Sequence, residues 1–136
     1  MASIRKEILI AARPEDVWAV VRDVGAVHTR LAPGVVVDTR LEADARIVTF
    51  ANGAVLRELI VDIDDAARRL VWAAVGGRIK HHNGAMQVIP DGENQTRVVW
   101  TADLLPNDLA ETAGDMMQQS ISVMKRTLDG TSDRKD

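Results

Sequence analysis

The 136-residue sequence contains no cysteine. Disulfide frameworks, thiolate nucleophiles and cysteine-ligated zinc are thereby excluded together, and the absence agrees with a reducing compartment. Tyrosine is missing too, and with a single phenylalanine the aromatics amount to 3%, leaving few side chains on which nucleic-acid bases could stack. Positive charge is equally thin. The 17 Lys and Arg are outnumbered by 20 Asp and Glu, for a net charge of -3, and they are scattered rather than gathered into a stripe. No field draws the chain to nucleic acid or anionic lipid, and we expect no nucleic-acid partner. No apolar run approaches the roughly 20 residues of a membrane span. The run near the N-terminus is too short for a secretory core and ends in Arg13-Pro14 rather than a cleavage site. These absences lead us to expect a soluble, cytoplasmic protein.

What is present suits one domain: the length leaves little room for a second, and 46% apolar residues can bury a core unaided. We take residues 1–128 as that domain and 129–136 as a polar C-terminal tail, expected to be disordered. Ser3 to Ala11 is Ile-rich and unbroken, a first strand. Pro14 opens a helix with Glu15 and Asp16 at its positive end, and Val17, Val20, Val21 and Val24 follow at helical spacing with Trp18 beside them. Gly25 ends it, and Ala26 to Leu31 forms a second short helix before Pro33-Gly34.

From Val35 to Leu105 six short strands alternate with turns: Asn52-Gly53 marks a two-residue hairpin, and Gly76-Gly77 and Pro90-Asp91-Gly92 mark others. Links this short make an antiparallel meander. A last helix starts near Asn107 or Asp108, with Glu111 placed for a capping box. Leu109, Ala113, Met117, Ile121, Met124 and Leu128 recur along it at steps of three and four. Such a helix must lie on the concave face of the meander to bury its stripe. Methionines at 116, 117 and 124 suit either an ordinary helix–sheet core or the wall of a cavity of variable contents.

The order of these elements, with Arg13-Pro14-Glu15-Asp16-Val17-Trp18, Arg57-Glu58 before Asp64-Asp65, Gly76-Gly77, and Trp100 to Pro106 before the last helix, resembles the START-like superfamily. That group is also called SRPBCC or the birch-pollen-allergen fold, and the chain is similar to its polyketide cyclase/dehydrase and lipid transport family from Ser3 to Leu128. The resemblance implies an α+β helix-grip fold. A seven-stranded curved antiparallel sheet would hold a long C-terminal helix, with two short helices after strand 1, around a cavity for a hydrophobic molecule. Glu58 to Asn83 is further similar to the plant abscisic-acid receptor branch, in the spacing of Glu58, Asp64-Asp65, Gly76-Gly77 and Asn83. The gate proline is replaced by Phe50-Ala51-Asn52-Gly53, the latch reads Ile79-Lys80-His81, and the ligand-gripping lysine is missing near Thr29, where His28 and Arg30 stand. A pocket of family type is implied; a hormone-receptor role is not.

Glu58 lies between Leu56 and Ile60, and if those face inward it is a buried pocket carboxylate. Alternatively it faces solvent with Arg57 inside, or is paired structurally with Arg or Lys. His81 and His82 are strand neighbours pointing to opposite faces. A site built from His28, His82 and Glu58 lacks the spacing of metal sites, and we expect neither metal nor cofactor.

The expected cavity lining is Leu56, Glu58, Ile60, Trp72, His82, Met86, Met117, Ile121 and Met124. The leading expectation is binding or carriage of a lipid or polyketide-like compound by a monomer or homodimer. One rival is a cyclase or dehydratase in which Glu58 or His82 acts as general acid or base. The other is a protein-interaction module using the groove. Without the family's lysine, Glu58 has no obvious partner, so the expected ligand is neutral or presents a hydrogen-bond donor or positive group.

Overall fold

The computed structural model describes residues 1–133. Its sheet consists of β1 (Ala2–Ile10), β2 (Val36–Glu42), β3 (Ala45–Phe50), β4 (Val55–Asp64), β5 (Arg69–Val75), β6 (His81–Pro90) and β7 (Thr96–Leu105), ordered β1-β7-β6-β5-β4-β3-β2. Strands β2 to β7 are a plain meander, antiparallel throughout, because every link is a short turn. β1 pairs with β7 in an unbroken register from Ala2↔Leu104 to Ile10↔Thr96, so the first strand closes the sheet beside the last.

The long β1–β2 link carries the two short helical segments: α1 (Pro14–Val21) and a π-helical turn over Val27–Leu31. In α1 the buried side chains are Pro14, Val17, Trp18, Val20 and Val21. The Trp18 indole N–H donates to Asp65 Oδ1 at 2.9 Å and Arg22 Nε donates to the same oxygen at 2.8 Å. α1 is thereby pinned to the β4–β5 turn and closes one end of the sheet.

The long helix α2 (Ala110–Leu128) lies across the concave face and runs along β1. Register shifts at Val36/Asp38 in β2 and Ile60/Asp62 in β4 are β-bulges, which bend their strands and help the sheet curve. Ile10, Val17, Val21, Leu70, Val88, Val98, Met124 and Leu128 fill the closed end under α1, each no more than 2% exposed. None of the described helices is long and apolar enough to cross a membrane.

Three local expectations change. The β3–β4 turn is a three-residue loop, Ala51-Asn52-Gly53, with Phe50 N–H donating to Ala54 O and Gly53 N–H to Phe50 O. Only Gly53, at φ 91°, occupies the left-handed region, whereas a two-residue turn centred on Asn52-Gly53 would need both residues there. α2 has no capping box; a 3-10 turn over Asn107–Leu109 leads into it instead.

The tail departs from expectation as far as residue 133. Asp129 Oδ1 accepts from Ala11 N–H at 2.8 Å, Gly130 N–H donates to Ala11 O at 2.8 Å, and Ser132 Oγ accepts from Arg13 N–H at 2.7 Å. These polar groups satisfy backbone that the end of β1 leaves unpaired. The remainder of the expected tail, 134–136, lies outside the described residues.

Candidate functional site

Between the concave sheet, α2 and the segment following the π-helical turn lies a cavity of about 1240 Å³. Its exposed rim includes Gly34, Asn52, Val55 and Gly76-Gly77-Arg78. Its depth is apolar: Val48 and Phe50 from β3, Leu70 from β5, Met86 from β6 and Met124 from α2.

Of the residues singled out from sequence, Leu56, Glu58, Trp72, His82, Met86, Met117 and Met124 stand at the cavity wall. Ile60 and Ile121 do not. Ile60 is half-buried on the same face of β4 but lies at the bulge, beyond the cavity, and packs on the core. Ile121 is 1% exposed yet stands two turns after Gly114, the α2 position facing Ile4 of β1. It therefore belongs to the helix–β1 contact. His28 lies outside the lining, and His81 is exposed. Among the described residues no three His, Asp or Glu side chains converge on a metal-sized site.

Glu58 is paired with an arginine, one of the alternatives the sequence left open, though the sequence did not identify which residue. Arg46 of β3 is its direct cross-strand neighbour, and Arg46 Nε donates to Glu58 Oε1 at 2.7 Å. The two side chains are only 6% and 11% exposed, and both line the cavity. The guanidinium carbon also sits 5.4 Å from the centroid of the Trp72 ring, within reach of a cation–π attraction. Trp72 in turn meets Trp100 with ring centroids 6.0 Å apart and planes tilted by 52°. Arg46 was detectable: it alternates in phase with Val48 and Phe50, so a period-two reading of β3 puts all three on one face. Ala113 and Met116 also line the cavity without having been chosen.

His82 is placed where the β5–β6 ladder ends. Pairing runs only to Trp72↔Gly84, and beyond it the Ala74 N–H donates to His82 Nδ1 at 2.9 Å. An Nδ1 that accepts leaves the proton of the neutral ring on Nε2. Burial pushes the His82 pKa below its ordinary value and His81 adds to this, while Glu58 and Asp103 pull it upward. The polar groups of the sheet wall are therefore an Arg–Glu pair, a neutral imidazole and two indoles, while Asn52, Arg78, Asp115, Gln118, Gln119 and Arg126 add exposed polar side chains to the lining.

Solved structures share this architecture. An uncharacterised protein from Bacillus thuringiensis superposes with a TM-score of 0.84 at 13% identity, over 93% of this chain and 98% of that one. A protein from Thermobifida fusca gives 0.79 at 27% identity, over 100% and 98%. Norcoclaurine synthase from Thalictrum flavum gives 0.75 at 16% identity, over 98% and 87%. No curated protein matches the chain. The family model described as polyketide cyclase / dehydrase and lipid transport matches residues 1–131. With the helix-grip architecture in place and that match spanning nearly every residue, the chain belongs to the polyketide cyclase/dehydrase and lipid transport family.

Proposed function

We propose that the protein binds or carries a hydrophobic small molecule, of lipid or polyketide-like character, in this cavity. The observation that carries the reading is the enclosure itself: about 1240 Å³ lined mainly by apolar side chains under a methionine-bearing helix. A concave, mainly apolar lining with a few polar groups is the usual form of a small-molecule site, though this one is larger than the roughly 300–1,000 Å³ typical of them. The family description supports ligand binding as its use. Met116, Met117 and Met124 give the helical wall side chains that adapt to irregular shapes.

A cyclase or dehydratase is the second reading, favoured by Glu58 and His82 both facing the enclosure. Two observations favour carriage over it. Glu58 is engaged by Arg46, and the Nδ1 lone pair of His82, which a general base would use, is occupied by Ala74 N–H.

The test uses a neutral apolar dye, N-phenyl-1-naphthylamine, titrated against wild type, Ala113→Leu and Met124→Trp, with Ala66→Leu on the exposed β4–β5 turn as control. Ala113→Leu adds bulk to the half-buried cavity wall and should weaken the dye with little loss of stability. Met124, 1% exposed, has packed neighbours on its far side, so Met124→Trp should weaken the dye and also destabilise by about 1–3 kcal/mol. Dye affinity unchanged by Ala113→Leu would reject the cavity as the binding site. Turnover of a polyketide-like substrate would transfer the assignment to the enzyme.

A further inference from the structure

The groups at the cavity wall that lack partners are both donors. Arg46 is 5% exposed, and while its Nε bonds Glu58, its Nη1 is shut away from water with no acceptor. Trp100 Nε1 is likewise buried without an acceptor. Buried donors are satisfied in the great majority of proteins, so two such groups on one cavity wall call for a missing acceptor. The two residues are also linked in space, because Trp72 contacts both: the Arg46 guanidinium at 5.4 Å and the Trp100 ring at 6.0 Å, centroid to centroid.

Charge decides which acceptor. The Arg46 cation and Glu58 anion are in direct contact and cancel, and the neighbouring His82 is held toward its neutral form by burial. A ligand carboxylate would bring a second negative charge beside Glu58, where Arg46 is already paired; Arg126, a lining cation with no ion pair among the described residues, is exposed and screened by solvent. A carbonyl oxygen accepts hydrogen bonds without adding charge. Building on the cavity-binding reading, we propose that Arg46 is a ligand-recognition residue. It selects apolar compounds bearing an uncharged carbonyl acceptor (ketone, ester or amide), and Glu58 holds its guanidinium in place. Of the ligands expected from Glu58 alone, neutral ones or ones presenting a donor or positive group, this keeps the neutral class and adds an acceptor facing Arg46.

The experiment compares three compounds on one scaffold by calorimetric titration of the full chain: 2-acetylnaphthalene, 2-isopropenylnaphthalene and 2-naphthoate. The first two differ only in C=O against C=CH2. Wild type should bind the ketone about tenfold more tightly than the alkene, the contribution of one hydrogen bond to a charged donor. The carboxylate should bind more weakly than the ketone.

In Arg46→Met/Glu58→Met, which leaves no unpaired charge buried, the ketone's advantage over the alkene should vanish while the alkene still binds. In Glu58→Gln the uncompensated Arg46 should draw the carboxylate up relative to the ketone. Equal affinity of ketone and alkene for wild type would overturn the assignment of Arg46 while leaving the cavity as an apolar site. The carboxylate binding tightest to wild type would overturn the choice of a neutral acceptor. Failure of all three compounds to bind would instead reject the cavity-binding reading on which this inference rests. The wild-type comparison decides even if a variant fails to fold.

Discussion

Gly84 of β6 lies directly beneath the indole of Trp72 on β5, its register partner, so closely that a Cβ at position 84 would fall 2.8 Å from Trp72 Cε2. The same Cβ would come within 3.1 Å of His82 Cε1. The missing side chain thus lets Trp72 lie flat against β6 and turn its ring toward Arg46 and the cavity.

Gly84→Ala should accordingly destabilise the fold by about 1–3 kcal/mol, because the obstructing atoms belong to a buried ring rather than a flexible chain end. Gly114 in α2 provides the contrast. A Cβ there would approach nothing closer than Ile4 Cδ1 at 4.0 Å, so Gly114→Ala should stabilise by about 0.5–1 kcal/mol through helix propensity. Urea midpoints for the two variants should move in opposite directions, and a Gly84→Ala protein as stable as wild type would mean the Trp72 ring is not held there.

His82 makes stability depend on pH in a defined direction. Its folded pKa lies below the ordinary 6.5, so between the two values the unfolded chain binds more protons than the folded one. Stability is complete above 6.5 and declines as pH falls below that value, levelling only once the lowered folded pKa is passed. Protonation also takes the Nδ1 acceptor from Ala74 N–H. His82→Asn, which keeps an acceptor near the Nδ1 position, should flatten the loss of stability between pH 7.5 and 5.5. An NMR titration placing the wild-type ring at or above 6.5 would refute this account.

The docked tail has a signature of its own. Ser132 Oγ donates to Asp16 Oδ2 at 2.6 Å, and this bond, ahead of the Arg13 contacts, holds the Asp16 carboxyl below its usual range. Stability from Asp16 is therefore present above the unfolded carboxyl value and lost as pH falls through the lowered folded one. Ser132→Ala should return the Asp16 titration, followed by carboxyl carbon NMR, toward the ordinary aspartate value. An unchanged Asp16 in that variant would show that the Ser132 contact does not form in solution.

The order of elements along the chain, the Pro14 helix and the α2 stripe were legible in the sequence because each rests on local periodicity and turn chemistry. Alternating residues in β1 and β3, proline at the first helical position and glycines at the turns read the same way in isolation as in the folded chain. Period two put Glu58 on the same face as Leu56, but which face of β4 turns inward was left open by the sequence. Pairing was left open too. Arg46 and Glu58 are 12 residues apart and meet only because the β3–β4 hairpin takes a three-residue loop that puts them opposite each other. Ile60 and Ile121 have the composition of cavity residues, yet a bulge in one case and the rotation of a helix toward β1 in the other turn them to packing. The tail's polar residues read as solvated until the unpaired backbone at the end of β1 supplied partners. Local chemistry is written residue by residue, so the sequence by itself determined the elements and the alternation of their faces. Which buried charge meets which, and which wall stays open, depends on register, bulge and helix rotation, and only the tertiary structure decided them.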